Sequence, residues 1–85
     1  MTTIATMIKD LGGTEAASRA LHALVERDGL ATAPPTHRTL QRWRAGHAVP
    51  SIAGVWLLAI ASGYDPAHVL ADVAHEITHG VIVEG

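Results

Sequence analysis

Residues 36–46 read THRTLQRWRAG, and this stretch decides the fold class of the chain. Its first threonine can cap a helix with its hydroxyl, and its final glycine is a C-terminal stop. Leu40 and Trp43 have the i, i+3 spacing of one helix face, so we expect both side chains in the core. The pattern predicts a short helix over 37–44, and nearly all of its outward positions are hydrogen-bond donors.

The next predicted helix, over residues 51–62, is apolar almost all round. Ser51 is its expected N-cap, and Gly63 ends it. Its predicted core stripe is Ile52, Val55, Ala59 and Ser62, and the residues predicted on its other sides are Ala53, Trp56, Leu57 and Ile60. A helix with a second apolar surface needs a second cover, so we expect a dimer interface or the C-terminal segment there.

The last predicted helix begins at the Asp-Pro pair at 65–66. It is expected to run to about Thr78 and to end at Gly80, with an apolar stripe of Val69, Val73 and Ile77. The β-branched residues 81–83 then predict a short β-tail. Helix five and this tail together occupy residues 65–85.

Two helices are predicted before the central stretch. Ile4, Met7, Ile8 and Leu11 share one face of a helix over 3–11. A second helix is expected from an N-cap at Thr14 to about Arg27, with Ala17, Leu21 and Leu24 on its inward face. The chain therefore reads as a single all-α domain of five helices, spanning residues 1–85.

Composition limits the function classes. The 85 residues suffice for one core, and the absence of cysteine excludes disulfides, thiolate zinc sites and cysteine nucleophiles. Small chains without disulfides often gain stability by dimerising. No targeting segment is visible, and the uncharged apolar run 52–61 is too short to cross a membrane, so we expect a cytoplasmic protein.

The net charge of −2 conceals an uneven distribution. Residues 29–64 contain no Asp or Glu, and Arg38, Arg42 and Arg44 give them a charge of +3. The remainder carries three basic and eight acidic residues, a charge of −5. A basic centre of this kind is typical of a protein that contacts phosphate with one face.

The sequence resembles a helix-turn-helix domain of the Cro/lambda-repressor (Xre) type, a five-helix DNA-binding fold. Three pieces carry the resemblance, GTEAASRAL at 13–21, THRTLQRWRAG at 36–46 and HAVPSIAGVWLLAIASGYDP at 47–66. The first two resemble the two helices of the motif, which would span about 14–46. The family joins these helices by about three or four residues, whereas 22–35 intervene here. Either helix two is elongated or the two helices pair differently, and Leu24, which continues the apolar face, favours elongation.

The resemblance implies that the second helix of the motif reads base edges in the major groove while flanking groups contact phosphate. The base-edge candidates are His37, Arg38, Gln41 and Arg42, and the phosphate candidates are Thr36, Thr39, Arg44 and His47. The implied function is a sequence-specific transcriptional regulator, most simply a repressor of phage or mobile-element type. It would bind a pseudo-palindromic operator through the helix over 37–44, without a cofactor. It would do so as a homodimer held together by helix four and the C-terminal segment.

Residues 75–79, HEITH, match the H-E-x-x-H pattern of zinc hydrolases. With His68 and Asp72, the two histidines form a polar stripe that could bind a metal without catalysis. Only six residues follow His79, which leaves no room for a third ligand and a cleft, so we expect neither an enzyme nor a metal site. The second alternative is a protein-binding adaptor on the same scaffold, favoured by the net negative charge and by the second apolar surface of helix four.

Overall fold

Five α-helices and their connections make up the described part of the chain. A computed structural model describes the backbone of residues 3–84 and the side chains of residues 3–76. The helices are α1 (Ile4–Asp10), α2 (Thr14–Asp28), α3 (His37–Ala45), α4 (Ile52–Ser62) and α5 (Pro66–Glu84). No strand occurs within residues 3–84, so the predicted all-α class with five helices is confirmed.

Side-chain caps begin four of these helices. The hydroxyls of Thr3, Thr36 and Ser51 each accept the backbone N–H three residues further on, at 3.1, 3.2 and 3.0 Å. Asp65 caps α5 by accepting the backbone N–H of Ala67 at 3.3 Å. The predicted starts of α3, α4 and α5 are therefore confirmed, and each cap satisfies a backbone donor that the helix cannot.

The start of α2 differs from the prediction. Its N-cap is Gly13, with a φ of 105° that L-residues rarely adopt, and the predicted cap Thr14 is instead the first helical residue, with a buried side chain. The helix runs to Asp28 and is closed by Gly29 in the left-handed conformation. It is thus elongated, as expected, and residues 29–35 connect it to α3.

The core is organised around α4, which contacts α1, α2 and α5. Its buried aliphatic residues are Val55, Leu57, Leu58 and Ala59. They form one cluster with Ile4, Met7, Ile8, Ala17, Leu21, Leu24, Leu40, Val69 and Val73. Burying a side chain of this kind contributes roughly 1.5–3 kcal/mol, so this cluster is the main source of stability, and α4 is its centre.

Two residues of α4 were assigned to the wrong side by the sequence pattern. Ile52 was predicted in the core and is 76% exposed, whereas Leu57 was predicted outside it and is 1% exposed. Because α4 packs against α1, α2 and α5 and also receives the Trp43 ring of α3, its buried positions cover about 200° of its circumference at 100° per residue. A single stripe underestimates that arc. Ile52 lies on the opposite arc, beside Trp56 and Ile60.

The C-terminal prediction is also wrong. Instead of ending at Gly80 before a β-tail, α5 continues to Glu84. A glycine inside a helix costs only about 1 kcal/mol, and an isolated tail has no strand to pair with among residues 3–84. Val69 and Val73 of the predicted stripe are buried, as expected, while the side chain of Ile77 lies outside the described residues.

Tyr64 connects α1 to the junction between α4 and α5. Its hydroxyl donates a hydrogen bond to Oδ2 of Asp10. This bond raises the pKa of the Tyr64 phenol above its usual value, and desolvation and the charge of Asp10 act in the same direction.

None of the described helices combines the length and the apolar character that crossing a membrane requires.

Candidate nucleic-acid interface

The exposed side of α3 is held in place by a cap and one buried side chain. Oγ1 of Thr36 accepts the backbone N–H of Thr39 at 3.2 Å, and the two hydroxyls are 3.1 Å apart. At the other end Gly46 adopts a φ of 79°, which lets its N–H bond the last carbonyls. Leu40 is fully buried in the core, as predicted. Arg38, Gln41, Arg42 and Arg44 of α3 are exposed to solvent.

Five of the predicted contact residues share one open depression, which we call the α3 donor surface. Its volume is about 720 Å³. Its polar members are Arg38, Gln41, Arg42, Arg44 and His47, and all five are exposed. Arg38, Gln41 and Arg42 fall at i, i+3 and i+4, the spacing at which side chains project from the same face of a helix. The structure therefore brings the strongest base-edge candidates together.

The arginines of the α3 donor surface differ from Arg27 of α2 in their ion pairing. Within the part of the chain that the structure describes, Arg38, Arg42 and Arg44 form no ion pair and no side-chain hydrogen bond. Arg27 on α2, by contrast, pairs its Nε with Oδ1 of Asp28 at 3.1 Å. Arginine carries five N–H donors in a planar fork that fits phosphate and base edges. The donors of α3 thus remain open to an external acceptor.

His37 is placed differently from the other candidates. Its side chain is half-buried, and its Nδ1 is buried without a hydrogen-bond partner among the described residues. It does not line the depression that the other candidates share. The ring therefore presents at most its Nε2 to a ligand, and His37 is the weakest of the four base-edge candidates. Thr36 and Thr39 lie at the N-terminal end of α3, a position that suits contact with a phosphate group.

Lys9 and Ser18, which the sequence did not single out, support the α3 donor surface. Arg44 lines a second depression together with Lys9, which extends the basic region onto the end of α1. Ser18 of α2 donates its hydroxyl to the carbonyl of Pro35 at 3.2 Å, one residue before the cap of α3. Both contacts join residues far apart in the chain, so no local spacing could have indicated them.

Trp43 joins α3 to α4. Its ring is half-buried against the core, and it lies over the backbone of Gly54. A Cβ at position 54 would overlap the Cη2 atom of the ring and lie 2.9 Å from Cζ3. The absent side chain of Gly54 therefore sets how closely α3 approaches the central helix. The prediction that Trp43 belongs to the core is confirmed in this partly exposed form.

The histidine stripe of α5 does not assemble a metal site within the described residues. Nε2 of His68 lies 3.4 Å from Oδ2 of Asp72, the i, i+4 spacing that the sequence indicates. No group of three or more possible ligands lies together among the described side chains. The side chain of His79, the second histidine of the H-E-x-x-H pattern, lies outside them.

Comparison with known proteins gave no match to a family model, to a curated protein or to a solved structure.

Proposed function

We propose that this protein is a sequence-specific DNA-binding transcriptional regulator, a cytoplasmic repressor of the phage or mobile-element type. The observation that carries the proposal is the α3 donor surface, where Arg38, Gln41 and Arg42 are exposed together without an acidic partner among the described residues. Arginine binds guanine and glutamine binds adenine through paired hydrogen bonds in the major groove. Folding of α3 requires none of these side chains, so their grouping supports an external ligand.

The surrounding residues suit the phosphate backbone. Arg44 and Lys9 line one depression at the edge of the α3 donor surface, and Thr36 and Thr39 offer hydroxyls at the start of the helix. Phosphate contacts of this kind orient a protein on the duplex and leave discrimination to the base contacts. We assign discrimination to Arg38, Gln41 and Arg42, and orientation to the flanking groups and His47.

A nine-residue helix offers few base contacts, so the proposed regulator binds as a two-fold dimer. The two recognition helices would then occupy half-sites about 34–36 Å apart on a pseudo-palindromic operator. Helix four and the C-terminal segment are the parts of the chain proposed to hold the dimer together.

The proposal is tested by fluorescence anisotropy with the purified protein, a duplex of its own upstream DNA and a scrambled duplex. We expect a preference of about a hundredfold or more for the upstream duplex. We also expect log K to fall steeply with log salt, because phosphate binding releases counterions. Equal, weak binding to both duplexes would contradict the proposal.

Matched variants assign the binding to α3. The single variants Arg38→Ala and Arg42→Ala are each expected to bind the upstream duplex about tenfold more weakly or worse. Arg27→Ala removes the same charge from α2, where the guanidinium already pairs with Asp28, and should leave binding unchanged. Circular dichroism on all three variants checks that the fold is intact.

A protein-binding adaptor is the second candidate, because α4 exposes apolar side chains that folding does not use. The double variant Arg38→Ala, Arg42→Ala separates the two functions. If the protein is a regulator, this variant no longer binds the upstream duplex and no longer regulates. If it is an adaptor that works through α4, cells that carry the variant keep the wild-type phenotype and the variant folds normally.

A further inference from the structure

The outward side of α4 is apolar, exposed and continuous with the loop that precedes it. We call this region the α4 outer face, made of Val49, Ile52, Ala53, Trp56 and Ile60. Val49 is 65% exposed, Ile52 76%, Trp56 44% and Ile60 38%. Single exposed apolar residues are common, whereas a contiguous group of large ones marks an interaction surface.

The α4 outer face includes a depression as well as protruding side chains. Leu30, Ala31 and Thr32 of the connection before α3 form one wall, and Ile52, Ala53 and Trp56 form the other. The depression has a volume of about 410 Å³ and is lined almost entirely by apolar groups. The most exposed side chain of the face, Ile52, borders it. A protrusion and a depression on one surface are what a two-fold contact requires, because each copy supplies both to the other.

Among the described residues, none that lines the depression beside Ile52 and Trp56 is charged, whereas Arg27 of α2 borders the face at Ile60. No Asp, Glu, Lys or Arg occurs in residues 29–37 or 45–64, the two stretches that contain the depression. In a two-fold interface, residues near the axis lie opposite their own copies, so a charged residue there would meet a like charge. An acidic or basic partner protein, by contrast, would find no counter-charge at the depression beside Ile52 and Trp56. Neutrality and self-complementary shape both favour a second copy of the same chain.

We infer that the occupant of the α4 outer face is a second copy of this protein, with α4 packed against α4 across a two-fold axis. In this dimer Ile52 of each copy enters the depression beside Trp56 of the other. The inference rests on the proposed function for its two-fold symmetry, and it deepens that function because it names the residues of α4 that meet near the axis.

The dimer would act directly on the recognition helix. Gly54 lies on the buried arc of α4, and Trp43 of α3 packs onto it. Fixing the two α4 helices relative to each other therefore also fixes the two α3 helices, one contact away. The spacing of the operator half-sites would follow from the geometry of the α4 contact.

Sedimentation velocity on the full chain without DNA tests the inference. The wild-type protein is expected to sediment as a dimer at about 10–100 μM. Ile52→Glu should raise the dimer dissociation constant at least about tenfold, because it puts two carboxylates into an apolar contact. Ala71→Glu adds the same charge at an exposed position of α5 and should remain dimeric. A monomeric wild type, or equal dissociation constants for the two variants, would overturn the inference.

A cross-linking variant covers the case in which Ile52→Glu does not fold. The chain contains no cysteine, so Ala53→Cys introduces a single thiol on the α4 outer face. A disulfide needs Cα atoms within about 7 Å, so mild oxidation should link Ala53→Cys into covalent dimers and leave the control Ala71→Cys monomeric under denaturing conditions. Equal cross-linking of the two, or none, would contradict the proposed contact.

The test distinguishes failure of the interface from failure of DNA binding. The variant Arg38→Ala, Arg42→Ala should remain a dimer in sedimentation, because its substitutions lie on the α3 donor surface. If the wild type is a dimer that does not discriminate between duplexes, the interface stands and the proposed function fails. If it binds the upstream duplex specifically while staying monomeric, the DNA-binding role stands, and both the two-fold dimer and the α4 interface are wrong.

Discussion

Adjacent helices of this molecule have opposite relations to the core. Among the residues of α3, all of them described, only Leu40 is buried, whereas α4 buries Gly54, Val55, Leu57, Leu58 and Ala59. What each helix leaves exposed also differs, because α3 exposes arginines and α4 exposes large apolar side chains. Folding accounts for the buried side of both helices and for neither exposed side. The two exposed surfaces are therefore the places to look for function. The exposed side of α3 suits a polar ligand, and that of α4 suits an apolar one.

The largest expected effect comes from removing the anchor of α3. Leu40→Ala should lower the free energy of unfolding by about 2–5 kcal/mol, because it leaves a cavity where a fully buried side chain stood. Urea denaturation measures the loss. Gln41→Ala, at the exposed neighbouring position, should change stability by no more than about 0.5 kcal/mol. Similar losses in the two variants would contradict the placement of α3.

A smaller effect, but one of diagnostic sign, is expected where the two helices meet. At an open helical position, glycine to alanine stabilises a protein by up to about 1 kcal/mol. Gly54→Ala should instead destabilise it by about 1–3 kcal/mol, because the new Cβ overlaps the ring of Trp43. Thermal unfolding gives the sign, and in a Trp43→Leu background the penalty should shrink or reverse. A stabilising Gly54→Ala in the wild type would show that the helices do not meet there.

The next effect concerns the entry into α3. Ser18→Ala should cost about 1 kcal/mol, because it removes the donor to the carbonyl of Pro35, a buried residue. Ser62→Ala is the matched control, since its hydroxyl bonds only the carbonyls of its own helix, at Leu58 and Ala59, and its loss should matter less. Hydrogen exchange of the α3 amides should increase in Ser18→Ala and not in the control. The opposite ranking would argue against Ser18 as a support of α3.

The smallest effect is expected at Tyr64, outside both helices. Tyr64→Phe removes the hydrogen bond to Asp10 and should lower Tm slightly at neutral pH. The folded state raises the pKa of Tyr64 above 10.0, so the contribution is present below that pH and is lost as pH rises through the raised pKa. The Tm values of variant and wild type should therefore converge in strongly alkaline buffer. A difference that persists there would point to packing of the ring rather than to the hydroxyl.

Local signals in the sequence were sufficient for most of the fold. The caps at Thr36, Ser51 and Asp65 were predicted from one or two residues each, because capping depends on the residue itself and on the backbone next to it. The buried arc of α4 was not predicted correctly, since its width depends on how many helices surround α4. The end of α5 was misjudged for a related reason, because Gly80 and the β-branched residues after it carry only weak local preferences.

The candidate site was predictable as a set of residues but not as a surface. Helical periodicity assigned Arg38, Gln41 and Arg42 to the outward side of α3, and in the structure the three residues line one depression. Periodicity gave no indication that Nδ1 of His37 is buried, because that depends on what packs beside the start of α3. Lys9 and Ser18 were missed because their partners, Arg44 and Pro35, lie on other segments of the chain. Whether the α3 donor surface binds DNA stays a prediction.

The contact between Trp43 and Gly54 also constrains how this sequence can diverge. As long as position 43 carries an indole in this position, a side chain at position 54 forces the ring to move, so substitutions at 54 cost least after the ring has been replaced. The order of events matters, because a side chain acquired first at 54 would pass through a destabilised intermediate. In descendants of this chain the two positions should change as a pair, and the smaller residue at 43 should appear first.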